Sequence, residues 1–395
     1  MDRIHGVLWN KRFVAVFVCA AALTLGMMGC ATKNTGKAIV GDGGVSLNNA
    51  GQYEDVSKED LYKAALSEDV LVVYTVSTRA TKTKEAFEAK YPGLCVEIRD
   101  IRSPDLVQAV KTNHDSGGNE CDVVICNDNS GTFKSELVDT GIVVPYLASA
   151  IRDKMKDGHA TESISFLDEA EMIFYNSSLY DKAPVKNIWE LTENRYKGRI
   201  YMPNPLRSFS TYAFIGSVYD HAEELKAAYK AYYATDYDDS LGDPAKLLIK
   251  EIASNAVFTN SSDEVMEALN SDSADIGIMV SSKLRYKEMG YSIEPVYSLD
   301  PFCGCRTSMA VMLAADSKNI NSAKLFIDFL AGGTDGDTEG IRPFVTAGTW
   351  SARTDIPDGN DVPMDKIDLI VPDQDSLVEN RPATEAFLTD CLKGR

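Results

Sequence analysis

The spacing of apolar side chains divides the chain into three stretches. Residues 13–28 are a run of sixteen mostly apolar residues behind Lys11-Arg12, closed by Gly29-Cys30. Residues 31–52 are rich in Gly, Asn, Ser and Thr, with too few large apolar groups to offset the entropy of ordering, which predicts a flexible stalk. Further on, short apolar runs alternate with helical periodicity. Strands are expected at 70–75, 95–101, 122–126, 172–175, 200–202, 275–280 and 308–314. Helices are expected at 81–91, where Pro92-Gly93 ends the pattern, from Ser103-Pro104-Asp105, and at 211–219, 223–233, 263–269, 321–330 and 377–392. Such alternation implies mainly parallel sheets with right-handed crossovers.

An apolar run of sixteen residues is short for a membrane span, which needs about 20, and its basic front fits an export signal. Without residues 1–29 the chain keeps 366 residues, enough for two domains, and carries 37 basic against 58 acidic side chains, a net charge of −21. That balance disfavours nucleic acid and anionic lipid headgroups as partners. It leaves a small ligand open, because a pocket has its own local field. Besides Cys19 and Cys30, the six cysteines at 95, 121, 126, 303, 305 and 391 permit disulfides or buried thiols. Cys303-Gly304-Cys305 is neither a CxxC redox pair nor a zinc knuckle.

One layout occurs twice. A strand ending at Tyr74-Thr75 runs into Ser77-Thr78-Arg79-Ala80-Thr81 and a helix; a strand ending at Tyr201-Met202 runs into Asn204, Arg207-Ser208-Phe209-Ser210-Thr211 and a helix. Free N–H groups and the helix dipole favour anions at such places. Ser77, Thr81, Ser210 and Thr211 also qualify as plain helix caps.

Met27-Met28-Gly29-Cys30 resembles the lipobox of bacterial lipoproteins, which implies cleavage before Cys30 and a lipid on its thiol. Further along, Leu71-Val72-Val73-Tyr74-Thr75, Cys121-Asp122-Val123-Val124-Ile125, Phe174-Tyr175-Asn176, Trp189-Glu190-Leu191, Tyr196-Lys197-Gly198-Arg199-Ile200, Met202-Pro203-Asn204-Pro205 and the helix from Ala323 to Leu330 resemble, in order and spacing, the ferric-iron-type solute-binding proteins of ABC importers. The resemblance implies a type II periplasmic-binding-protein fold: two α/β lobes joined by two crossover strands that close on a ligand. Residues 1–29 would be the signal peptide, 30–66 the tether, 67–163 with 305–360 the first lobe, 164–304 the second, and 361–395 a helical segment packed on the body. Permease and ATPase subunits would be partners of a monomer held outside the cytoplasm by lipid.

Ferric-binding members carry adjacent tyrosines after the strand that corresponds to residues 275–280, because phenolates are hard ligands. Here that stretch reads Ser281-Ser282-Lys283-Leu284-Arg285-Tyr286, better suited to an anion. The expected cargo is a phosphate-, phosphonate- or carboxylate-bearing solute. Its expected contacts are Ser77, Thr78, Arg102, Asn127, Asn129, Arg207, Ser208, Ser210, Thr211, Ser281 and Ser282. A ferric complex is the alternative, with Tyr286 or Tyr175 as ligands. The mature chain has only His114, His159 and His221, and no GxSxG, HExxH or P-loop pattern, so neither catalysis nor a cofactor is expected. A ligand-presenting subunit of a membrane sensor would share the fold.

Overall fold

The computed structural model describes residues 56–393 except 119, 128 and 335, together with a two-residue antiparallel ladder of Ile39–Val40 on Ser46–Leu47. Cys30, the signal and most of the stalk lie outside the described residues. The expected tether through residue 66 stops short, however. Ser57 caps helix α1 (Lys58–Ala65) by accepting from Asp60 N, and Leu61 and Ala65, one turn apart, are buried in the core.

The first lobe is built from β1 (Leu71–Thr75), α2 (Ala80–Lys90), β2 (Val96–Asp100), α3 (Ser103–Asp115) and β3 (Val123–Asn127). Strand β4 (Ser165–Asn176) leads to the second, which holds β5 (Ile200–Pro203), α4 (Phe209–Ser217), α5 (Ala222–Tyr233), α6 (Pro244–Asn255), β6 (Ala256–Thr259), α7 (Ser262–Asn270) and β7 (Ile276–Val280). Strand β8 (Gly304–Ala314) leads back to α8 (Ile320–Leu330), and the chain closes with α9 (Gln374–Glu379) and α10 (Arg381–Leu392). The single helix expected at 377–392 is two, because Pro382 starts a new one.

One curled sheet runs β2-β1-β3-β8-β4-β7-β5-β6, with short strands along its edges. β1 pairs in parallel with β2 and β3, and β5 with β6 and β7. The centre is antiparallel: β8 lies between β3 and β4, and β4 between β8 and β7. These two long strands are the crossovers, and both extend well beyond the segments read from sequence. Alternation along the strands sends Val73 and Val123 to a core with Phe87 and Phe326, and their neighbours Tyr74 and Val124 to another with Leu106 and Leu137. Phe209, from the second lobe, is buried in the latter, so the lobes touch. Trp189, Ile200, Leu248 and Met279 belong to the second lobe's core, which also takes Leu377 and Leu388 from the C-terminal helices.

None of the six described cysteines is in a disulfide, and four of them are buried. No helix among the described residues is long and apolar enough to cross a membrane.

Candidate ligand-binding cleft

The carboxyl ends of β1, β5 and β7 converge on the crossover strands, and the side chains of β4 divide there by parity. Glu169 and Glu171 leave one face, in register with Thr307 and Cys305 of β8; Asp168 and Ala170 leave the other, in register with Ser308 and Arg306. On the first face Glu169 ties down the first lobe. Its Oε1 accepts from Arg79 Nη2 at 2.5 Å, and both side chains are buried. Arg79 arrives there through the turn between β1 and α2. Ser77 N donates to Thr75 Oγ1, Arg79 Nε donates to Ser77 Oγ at 3.1 Å, and the guanidinium lies 4.8 Å from the Phe344 ring.

Glu171 ties down the second lobe. Its Oε1 accepts from Thr211 Oγ1 at 2.7 Å, and Ser208 caps α4 by accepting from Thr211 N. Burial, with a smaller contribution from Glu169, pushes the Glu171 carboxyl up to about 8 against the relief given by Thr211. The two loops that looked alike in sequence therefore meet the same face of β4, each through a carboxyl.

Toward solvent the lobes enclose a cavity of about 630 Å³ lined by Arg79, Lys82, Arg285 and Arg342 against Glu85 and Glu339, with Thr78 and Tyr286 on its wall. Four cations face two carboxylates of the lining, and with Arg79 paired to Glu169 one positive charge is left in excess within a chain of net charge −19. Among the described residues, no side-chain partner engages Lys82 or Arg342. Arg285 donates to the Ser282 carbonyl and stacks 4.5 Å from the Tyr286 ring. Its pKa is lowered by burial and then by the charge of Arg79. Lys283 is likewise lowered by burial, although Asp263 holds it at 2.6 Å.

The opposite face carries a different cluster. His159 Nε2 lies 2.8 Å from Asp168 Oδ2, His159 Nδ1 lies 3.0 Å from the Asp157 carbonyl, and Arg306 Nη2 donates to Asp168 at 2.7 Å. Both ring nitrogens face acceptors, which favours the imidazolium. Burial opposes that charge, but the bond to Asp168, the charge of Asp168 and the Asp157 carbonyl together outweigh it, and the His159 pKa is raised. Cavities of about 600 and 250 Å³ adjoin this cluster.

The expected ligand residues divide accordingly. Ser77 and Thr211 are buried on their bonds to Arg79 and Glu171, Ser208 is half-buried against Thr211, and Ser210 is buried in the first turn of α4; Thr78 is exposed at the cavity rim. Ser282 is buried beside Arg285. Ser281 instead joins segments: its Oγ accepts from Ala170 N at 2.9 Å and donates to the Gly348 carbonyl at 2.5 Å. Asn127 ends β3 opposite Met309. Asn129 accepts from Ser308 N at 2.6 Å and lines the smaller cavity with His159 and Asp168. Arg102 is exposed ahead of α3, and Arg207 reaches only an exposed Asp105 at 3.8 Å. Tyr286 lies under two cations, Arg285 and Lys283. Tyr175 is six residues beyond Glu169 on β4, roughly 20 Å along the strand. Lys82 and Arg342 did not stand out in the sequence, nor did Glu169, Glu171 and Thr307. Arg79 and Arg285 stood in the strand-end loops already noted, whereas nothing local marks Arg342.

Three comparisons with known proteins bear on this geometry. Residues 75–332 match the family model described as bacterial extracellular solute-binding protein. A search of curated proteins returned no match. Among solved structures, the periplasmic binding protein AfuA from Actinobacillus pleuropneumoniae, with exogenous fructose-6-phosphate bound, is similar at 17% identity over 83% of this chain and 100% of that one, with a TM-score of 0.65. Iron-bound HitA from Pseudomonas aeruginosa is similar at 16% identity over 82% and 100%, with a TM-score of 0.62. The ferric binding protein from Campylobacter jejuni is similar at 16% identity over 82% and 99%, with a TM-score of 0.60. At such identities the likeness establishes the two-lobed periplasmic-binding-protein fold, while the match over residues 75–332 establishes the family: this chain belongs to the bacterial extracellular solute-binding proteins, the cargo receptors of ABC importers.

Proposed function

We propose that the protein captures a small solute bearing phosphate, phosphonate or carboxylate between its lobes, 67–163 with 305–360 and 164–304, and delivers it to an ABC permease and its ATPase. The observation that carries this reading is the cleft cavity of a strongly acidic chain, where Arg285, Lys82 and Arg342 stand beside the paired Arg79 and leave positive charge in excess. Low dielectric strengthens such a field, and forked guanidinium donors suit oxyanions. Ser77, Thr78, Ser208, Ser210, Thr211 and Ser282 would add hydroxyls around the anion. A lipid on Cys30 would hold this monomeric receptor at the membrane.

AfuA, with its sugar phosphate, supports an anionic cargo; HitA and the Campylobacter protein support the ferric alternative. Two cations over the Tyr286 ring oppose a ferric ion there, and Tyr175 is at the far end of its strand. Thermal melts against inorganic phosphate, sugar phosphates, carboxylates, neutral sugars and ferric citrate test the reading. Stabilisation by an anion and not by a neutral sugar is expected. A shift with ferric citrate alone would replace it with the iron reading.

A further inference from the structure

Two buried polar atoms on the face of the crossover strands that Arg79 and Thr211 meet have no hydrogen-bond partner among the described residues: Glu171 Oε2 and Thr307 Oγ1. Register puts them on one wall, since Thr307 opposes Glu169 and Cys305 opposes Glu171. A buried polar group left unpaired costs about 1–3 kcal/mol, so two on one wall point to a group that enters from outside the chain.

The surroundings of Glu171 define what it offers. From β4 the nearest charge is Glu169, which Arg79, in the turn before α2, neutralises. From β8 the neighbour is the Cys305 thiol, itself raised well above its ordinary value by burial and by Glu171. α4 contributes only the hydroxyl of Thr211, and Lys283 and Arg285 act on Arg79 and Glu169 instead. No cation pairs with Glu171 among the described residues. Burial and Glu169 push this carboxyl up to about 8, which favours the neutral form at pH 7, and since Thr211 donates to Oε1, Oε2 is the oxygen open to a proton. Glu169 and Glu171 are two residues apart, roughly 7 Å along the strand. That is the span of a small solute with one end at Arg79.

We propose that Glu171 is a cargo contact in its neutral form: its Oε2–H donates to an oxygen of the anionic solute beside the Thr307 hydroxyl, so that capture requires a proton on Glu171. This rests on the anion reading above. A deprotonated Glu171 would set a second negative charge against the solute, and affinity falls as that proton is lost.

The test is calorimetric titration of the full chain with inorganic phosphate at pH 7.5 and 9.5, for wild type and Glu171→Gln. The amide keeps a donor in place and cannot ionise. With an acid of about 8, the protonated fraction drops about 25-fold over this range, so the wild-type Kd should rise about 25-fold more than that of the variant. Phosphate's own ionisation is common to both proteins and cancels. As a check that does not depend on the variant's folding, titration of wild type at pH 8.5 in two buffers of different ionisation enthalpy should report net proton uptake. Equal pH dependence in both proteins, or no proton uptake, would overturn the role of Glu171 and leave the anion reading intact. No phosphate binding by either protein at either pH would remove the anion reading, and this inference with it.

Discussion

Arg79 is the side chain on which stability and capture can be separated. In Arg79→Met the guanidinium is lost and the Glu169 carboxylate, 1% exposed, faces a thioether. Breaking a buried pair by removing one partner costs about 3–5 kcal/mol, because the remaining charge is uncompensated. The same change removes a charge-assisted bond to the solute worth about 1.5–3 kcal/mol, roughly a 10- to 150-fold rise in Kd. Adding Glu169→Gln removes the stranded charge. The double variant should regain most of the lost stability while its affinity for phosphate stays low. Urea unfolding gives the first quantity and calorimetric titration the second, on the same two preparations. Wild-type affinity in the double variant would refute the placement of Arg79 among the solute's contacts. A single variant within 1 kcal/mol of wild type would refute the buried pair.

Three further outcomes are expected. Arg342→Glu, on an exposed side chain at the cavity, should weaken phosphate binding, more at low salt than at high, and leave the apo melting temperature near wild type; an unchanged Kd removes Arg342 from the site. His159 carries a raised pKa, so its clip to Asp168 contributes stability that is complete below the ordinary histidine value near 6.5 and is lost as pH rises through the raised value. Wild type should therefore lose more stability than His159→Gln over that rise, and parallel pH profiles would show that the clip carries no proton-linked energy. Incorporation of a fatty-acid analogue should vanish in Cys30→Ala, whereas equal labelling of both proteins would rule out lipid on that thiol.

The parallel strands and most helices were legible because their patterns are local. β1 is a run of β-branched and aromatic residues, and α3 announces itself through Pro104 and Asp105. The crossover strand β4 was legible only at 172–175, since Asp168, Glu169 and Glu171 interrupt its apolar pattern. Those acids are buried because partners far along the chain, His159, Arg306, Arg79 and Thr211, come to meet them. α6 and β6 escaped the reading altogether, although Asp243 caps the former with Pro244 behind it. The candidate site shows the same division. Strand-end hydroxyls were visible as motifs, whereas Arg342 reaches the cavity from a segment after α8 that carries no motif. Asn129 illustrates the converse. It sits at a strand end as expected, yet the path of β8 gives its side chain to Ser308 and to the cavity that Asp168 lines.

Native mass spectrometry of protein purified without refolding, with the adduct released and identified, tests the central claim most directly. The account predicts a small molecule bearing phosphate, phosphonate or carboxylate, present on wild type and absent from Arg79→Met/Glu169→Gln. An iron adduct or a neutral solute on wild type would contradict it.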